Sequence, residues 1–291
     1  MNLPTHVSTK MVLGTAQFGM NYGITNSDGK PSKKEAFNVL DFSWGRGIKS
    51  FDTAPGYNSE ALLGDFIESN GLNNKVKVHT KIPPLKGVRD YQKFILKNLE
   101  NSLSSLRCPV GTLFFHDPKD ADFLLKDQQF FEDLMKNYAV STLGVSVYSP
   151  SEVENFSDCE FNLAFQFPYN FLDRRFDDVS IDNGLAFARS IFLQGILVSN
   201  KNLIKNSPQT LKEIHKKIHN IFEENKVNPL EYAFNFAVNS SKIDFFIFGV
   251  HNLKQLIQIF SLSNREYSFH NELRDLLTLH EKSFLDPRKW S

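Results

Sequence analysis

The feature that most constrains this chain is an alternation running from end to end. Short apolar or β-branched runs are each followed by a longer segment whose apolar residues recur three and four positions apart. The short runs are Met11 to Phe18, Lys49 to Thr53, Lys75 to Ile82, Gly111 to His116, Ser141 to Val147, Phe161 to Phe167, Leu185 to Phe192 and Lys242 to Val250. Read as strands, they must pair in parallel, because a helical crossover consumes residues that a hairpin would not need. In Asp90 to Leu106 the residues Tyr91, Ile95, Leu99, Leu103 and Leu106 fall on one stripe, and in Pro208 to Phe222 so do Leu211, Ile214, Ile218 and Ile221. Lys33 to Trp44, Ser59 to Ser69 and Phe123 to Tyr138 are similar. Asn200 to Asn239 holds two helical patterns, and a further pair follows Val250 before the polar tail Leu285 to Ser291.

The chain has 291 residues, 41% of them hydrophobic. That suits two domains of about 150 residues or one α/β barrel of roughly 250. With no Pro/Gly/Ser linker, charge block or repeat, eight βα units predict a single-domain (β/α)8 TIM barrel over residues 1–291. A doubly wound sheet would show a glycine-rich turn after its first strand, but Gly14-Thr15-Ala16-Gln17-Phe18-Gly19 does not fit GxGxxG and no helix pattern follows at once.

Lys plus Arg and Asp plus Glu each number 33, so no positive reservoir exists for a nucleic-acid partner. The two cysteines, Cys108 and Cys159, supply neither a disulfide framework nor metal-ligand spacing, which suits a reducing compartment. No apolar stretch reaches the roughly 18 to 20 residues of a membrane helix, and Met1 to Lys10 lacks a signal-peptide pattern. The expectation is a cytoplasmic protein with no membrane partner and no metal. Nothing here specifies an oligomeric state. The 28 phenylalanines read as core filling.

In such a barrel, reactive groups sit at the C-terminal ends of the strands. The second run closes as Phe51-Asp52-Thr53-Ala54-Pro55-Gly56-Tyr57, the third as His79-Thr80-Lys81-Ile82 and the fourth as Phe114-Phe115-His116. Consecutive strands thus bring an acid, an amine and an imidazole to one rim, with a phenol just beyond the first. Taken singly, each has a bland reading: a turn cap, a solvated end residue, a satisfied rim histidine. Together they describe proton donation. An ammonium stabilises a phenolate and so lowers a tyrosine's pKa, and Asp52 would keep Lys81 charged beside an apolar interior. A phenol poised as general acid suits an alkoxide forming at a carbonyl, and hydride would have to come from a cofactor.

At this point the sequence resembles the aldo-keto reductase superfamily. The likeness rests on Leu13-Gly14-Thr15-Ala16, on Phe51-Asp52-Thr53-Ala54-Pro55-Gly56-Tyr57-Asn58-Ser59-Glu60, and on Thr80-Lys81, Phe115-His116, Leu143-Gly144-Val145-Ser146, Gln166, Ala188-Arg189-Ser190 and Gly195-Ile196-Leu197. The resemblance implies a NAD(P)H-dependent reductase of an aldehyde or ketone. Tyr57 is the implied proton donor, Lys81 and Asp52 tune it, and His116 orients the carbonyl. It further implies that Ser146 and Gln166 meet the nicotinamide amide, that Gly14 and Thr15 sit beside it, and that Ser190, Phe192 and Gln194 pass the pyrophosphate. Gly249, Gln255 and Gln258 would lie at the adenosine end.

The chain departs from the family pattern in three places. Val147 replaces an amide-binding Asn. Arg189 stands where an aromatic stacks on the nicotinamide; a guanidinium plane can also stack there, adding charge that favours the neutral, reduced ring. The segment Phe248 to Gln258 offers Lys254 and Gln255 where Lys or Arg usually meets the 2′-phosphate of NADP. NADPH is therefore the default cofactor, with NADH as the alternative, and helix N-terminal amides after Val250 could also meet phosphate. Phe18, Tyr22, Pro55, Tyr148 and Trp290 would line a pocket for a small-molecule carbonyl substrate, sugar-like or otherwise polar. Two other readings stand beside this one: a sugar-alcohol dehydrogenase or dehydratase-like relative, and a cofactor-binding regulatory subunit with vestigial reductase activity.

Overall fold

The computed structural model describes residues 4–24, 26, 29–181, 184–199, 209–263 and 284–286. Its strands are β1 (Met11–Gly14), β2 (Ser50–Asp52), β3 (Lys77–Ile82), β4 (Val110–Phe115), β5 (Thr142–Ser146), β6 (Ala164–Pro168), β7 (Leu185–Arg189) and β8 (Phe245–Phe248). Neighbours pair in parallel in chain order, and β8 returns to β1, so the sheet closes as a (β/α)8 barrel. The helices are α1 (Thr5–Lys10), α2 (Ala16–Gly19), α3 (Lys33–Gly45), α4 (Glu60–Ser69), α5 (Tyr91–Leu106), α6 (Phe123–Lys126), α7 (Gln128–Tyr138), α8 (Pro150–Glu154), α9 (Gln209–Glu224), α10 (Pro229–Asn239) and α11 (Leu253–Phe260).

Local chemistry sets the helix starts. Ser32 and Glu35 form a reciprocal capping box before α3, Asp90 accepts the Lys93 N–H at α5, and Asn228 with Pro229 opens α10. The apolar stripes then dock: Ile95, Leu99 and Leu106 of α5, and Leu211, Ile214 and Ile218 of α9, are buried.

Alternate residues of each strand face the barrel interior. Its middle is an aromatic plug. The rings of His79 and Phe187 lie 4.9 Å apart, Phe114 and Phe187 5.5 Å, and Phe187 and Phe245 4.7 Å. Gly144 makes room for this plug, since a Cβ there would come within 2.6 Å of the Phe114 ring. His79 bonds Ser50 Oγ at 2.8 Å, and burial pushes its pKa down to about 4. The plug floors the site above it.

Four expectations are corrected. The first run leaves the strand at Gly14, and Ala16 to Gly19 form a short helix, because periodicity alone does not separate four buried residues in a turn from four in a strand. The pattern from Phe123 to Tyr138 breaks at Asp127, whose extended φ of −144° ends α6 before α7 begins. The helix expected after every strand fails between β6 and β7, where no helix occurs among the described residues. There Asn170 Oδ1 accepts the N–H groups of Leu172 and Asp173, and Tyr169 and Arg174 bind Asp177, so side chains do the work of a helix ladder. Finally, a helix that no apolar periodicity announced, α1, precedes β1. Trp290 and the second helical pattern after Val250 lie outside the described residues, as does the tail beyond Asp286.

Candidate active site

A cavity of about 690 Å3 opens at the C-terminal ends of the strands. Asp52 closes β2, Lys81 lies near the end of β3 and His116 follows β4, so three parallel neighbours deliver them to one rim. Tyr57 comes from the single 3-10 turn Pro55–Tyr57 just past β2. All four line the cavity.

Lys81 and Asp52 form a buried pair. The ammonium donates to both carboxylate oxygens at 2.9 and 2.8 Å and to the Thr53 carbonyl at 2.9 Å. Burial alone would push Lys81 down, but Asp52, helped by Tyr57, holds it above its usual value, so it stays charged. Its Nζ lies 5.1 Å from the centre of the Tyr57 ring, which the His116 ring meets edge-on at 6.5 Å. Here the expected depression of the phenol is corrected. Burial raises Tyr57 above its ordinary value; Lys81 and Arg189 pull it down and do not win. His116, at the exposed rim, is pushed down to about 4 by the cavity walls, then by Lys81 and Arg189. At neutral pH both groups are uncharged hydrogen-bond donors.

Neighbouring groups fix this arrangement, and their roles were not legible from composition or periodicity. Thr15 Oγ1 bonds the Asp52 carbonyl at 3.0 Å and Ser59 Oγ at 2.9 Å, and Ser59 reaches Thr53 Oγ1 at 3.1 Å. Glu60 accepts from Thr80 at 2.6 Å and Ser102 at 3.1 Å, tying β3 to the two helices outside it. Gly19 lets α2 sit against the tyrosine turn: a Cβ there would fall 1.8 Å from the Tyr57 carbonyl oxygen.

Most of the other expected residues meet at the same cavity. Gly14, Ser146, Gln166, Arg189, Ser190, Phe192, Gln194, Gly249, Gln255 and Gln258 line it, as do Tyr22 and Tyr148. Thr15 does not; it is wholly buried behind the wall, supporting Asp52. Phe18 is corrected from pocket to core, with no exposed surface. Pro55 stands in the tyrosine turn without lining the cavity. Gln17 does line it, unanticipated, its amide in the niche that Gly249 leaves open.

The cavity suits a nicotinamide carboxamide, which needs one donor and one acceptor. Ser146 and Gln166 are register partners on β5 and β6. Gln166 donates one Nε2–H to Asp52 Oδ2 at 2.9 Å and keeps its Oε1 to accept, while the Ser146 hydroxyl can donate. Arg189 does not lie open on both faces. Its guanidinium covers the Tyr148 ring at 4.1 Å, and Nη2 donates to the Val147 carbonyl at 3.2 Å.

A barrel with this rim defines a class, and comparison places the chain in it. It belongs to the aldo/keto reductase family, whose model matches residues 10–272. A Schizosaccharomyces pombe protein named for a voltage-gated potassium channel beta subunit is 27% identical over 192 residues, 60% of this chain and 55% of that one. The chain thus matches about half the length of that relative. Its fold is similar to that of a glycerol dehydrogenase from Gluconobacter oxydans, with a TM-score of 0.67 and 21% identity over 95% of this chain and 90% of the other. No described helix is long and apolar enough to cross a membrane.

Proposed function

We propose that this chain binds a reduced nicotinamide dinucleotide, NADPH by default, and reduces an aldehyde or ketone to the alcohol with Tyr57 as general acid. The observation that carries the reading is one rim: a protonated phenol beside a buried Lys81–Asp52 pair, with Ser146 and Gln166 in the same cavity. When bound, the cofactor supplies the hydride that the carbonyl carbon receives.

The protein's own residues do the rest. Neutral His116 donates an N–H to the carbonyl oxygen and orients it. As that oxygen becomes an alkoxide, Tyr57 gives up its phenolic proton to it. An alkoxide is far more basic than any phenol, so the transfer runs downhill despite the raised pKa. The phenolate left behind sits beside the Lys81 ammonium, and Asp52 keeps that ammonium charged. Gln166 holds Asp52 in place while its Oε1 faces the cofactor amide. The described wall at the β8 end carries His251, Gln255 and Gln258. Lys254, the basic residue of α11 nearest that wall in sequence, is exposed and does not line the cavity, so NADH stays beside NADPH.

The name of the fission-yeast relative favours a second reading, a regulatory subunit that binds cofactor without turnover. Fluorescence titration with NADPH and NADH, followed by turnover on aldehydes and ketoses with Tyr57→Phe as control, separates the two. Cofactor binding with Tyr57-dependent turnover supports the reductase. Cofactor binding with no such turnover on any carbonyl overturns it in favour of the subunit.

A further inference from the structure

Arg189 is a cation that no described carboxylate pairs. It ends β7 on the inward-facing alternation that also carries Leu185 and Phe187, and so reaches the same layer as Asp52, Lys81, Ser146 and Gln166. Among the described residues lining the cavity, the acidic side chain is Asp52 and the basic ones are Lys81 and Arg189. Asp52 is consumed by Lys81 and Gln166. No described carboxylate pairs with Arg189, whose one hydrogen bond goes to the Val147 carbonyl. Its position is nevertheless fixed. The Tyr148 ring beneath it is anchored at both backbone groups, the N–H by Glu152 at 2.6 Å and the carbonyl by Arg175 at 2.9 Å, and Arg175 is itself clamped by Asp173. A guanidinium held over an aromatic platform, half-buried and with most of its N–H donors unspent, is a built receptor for an oxyanion.

Resting on the reductase reading above, we propose that the substrate is a carbonyl compound bearing an anionic group, a carboxylate or a phosphate, which Arg189 binds within the reaction cavity. Arg189 lines the same cavity as Tyr57, Tyr22 and His116, so an anion it binds shares that cavity with the reacting carbonyl. The competing anion is the cofactor pyrophosphate, and the experiment distinguishes the two.

Specificity is read as a ratio within one protein, which cancels any general loss of activity. For the parent, kcat/KM is measured for succinate semialdehyde against butanal, and for glyceraldehyde 3-phosphate against glyceraldehyde. The expected result is a preference for the anionic member of at least one pair on the order of tenfold or more. That preference collapses in Arg189→Gln and partly returns in Arg189→Lys. The pair that shows it tells carboxylate from phosphate. Equal values for both pairs in the parent overturn the proposal. So does an Arg189→Gln enzyme that keeps the preference while losing cofactor affinity by fluorescence titration, which would assign the cation to the pyrophosphate. A readout free of turnover separates this idea from the reductase reading. With cofactor bound, butanoate should raise the melting temperature of the parent more than its isostere butanamide does, and Arg189→Gln should abolish the difference. If no carbonyl is reduced yet this difference is present, the reductase reading fails and the anion site stands. If it is absent, the site fails too.

Discussion

Lys81 donates to both oxygens of the Asp52 carboxylate and to the Thr53 carbonyl, which holds the ammonium in place beside Tyr57. A buried ion pair of this kind is costly to break and cheap to replace. Asp52→Asn should therefore lower stability by about 3 to 5 kcal/mol, because it leaves Lys81 buried and unpaired. The double variant Asp52→Asn/Lys81→Met should recover most of that loss and none of the activity. Urea unfolding of the four proteins checks it; an Asp52→Asn variant as stable as the parent would contradict the geometry.

Burial holds the Tyr57 phenol above its ordinary value of roughly 10. A general acid works while protonated, so Tyr57 should not limit kcat/KM until the pH exceeds 10. Ultraviolet difference titration of the parent against Tyr57→Phe should show the missing phenol ionising above pH 10 in the cofactor-free protein. Ionisation below pH 10 would mean that Lys81 outweighs burial.

His79 makes stability depend on acid. Unfolded, its imidazole takes a proton near pH 6.5; folded, burial delays that to about pH 4. Its contribution is whole above the unfolded value and is lost as the pH falls towards the folded one. Across that window His79 should contribute a slope of up to about 1.4 kcal/mol per pH unit. His79→Leu should flatten the fall in unfolding free energy between pH 6.5 and 4, and an unchanged slope would remove the group from the account.

Gly19 and Gly56 flank the same tyrosine turn with opposite tolerance. A Cβ at Gly19 meets the Tyr57 carbonyl oxygen at 1.8 Å, whereas at Gly56 nothing lies within 4 Å. Gly19→Ala should cost about 1 to 3 kcal/mol and lower kcat by displacing Tyr57. Gly56→Ala should leave both nearly unchanged. Melting curves and steady-state kinetics on the two variants decide it.

Ser146→Ala removes the donor proposed for the nicotinamide carboxamide. Loss of one hydrogen bond, about 0.5 to 1.5 kcal/mol, predicts a Kd for NADPH and NADH weaker by roughly two- to twelvefold. Fluorescence titration reads this directly; an unaltered Kd for both would take Ser146 out of the cofactor site.

The sequence by itself determined the barrel and its reactive rim. Eight apolar runs separated by crossover-length segments can close only as a parallel sheet, and Asp52, Lys81 and His116 occupy strand ends in consecutive units, so topology alone unites them. It did not determine what surrounds them. Thr15 and Phe18 sit in the same apolar run as Gly14, yet one braces Asp52 and the other fills the core, because the chain turns into α2 one residue after the strand. Among its described residues the β6–β7 crossover holds its shape through Asn170 and Asp177 rather than a helix, a pattern with no periodicity to read. The charge states were likewise decided only in three dimensions. Burial raises Tyr57 against the pull of Lys81, and no described carboxylate pairs with Arg189, because both effects depend on which groups share the cavity. Local spacing fixes which strand end a residue occupies; desolvation and pairing are properties of the closed barrel, where residues far apart in the chain come within a few ångströms.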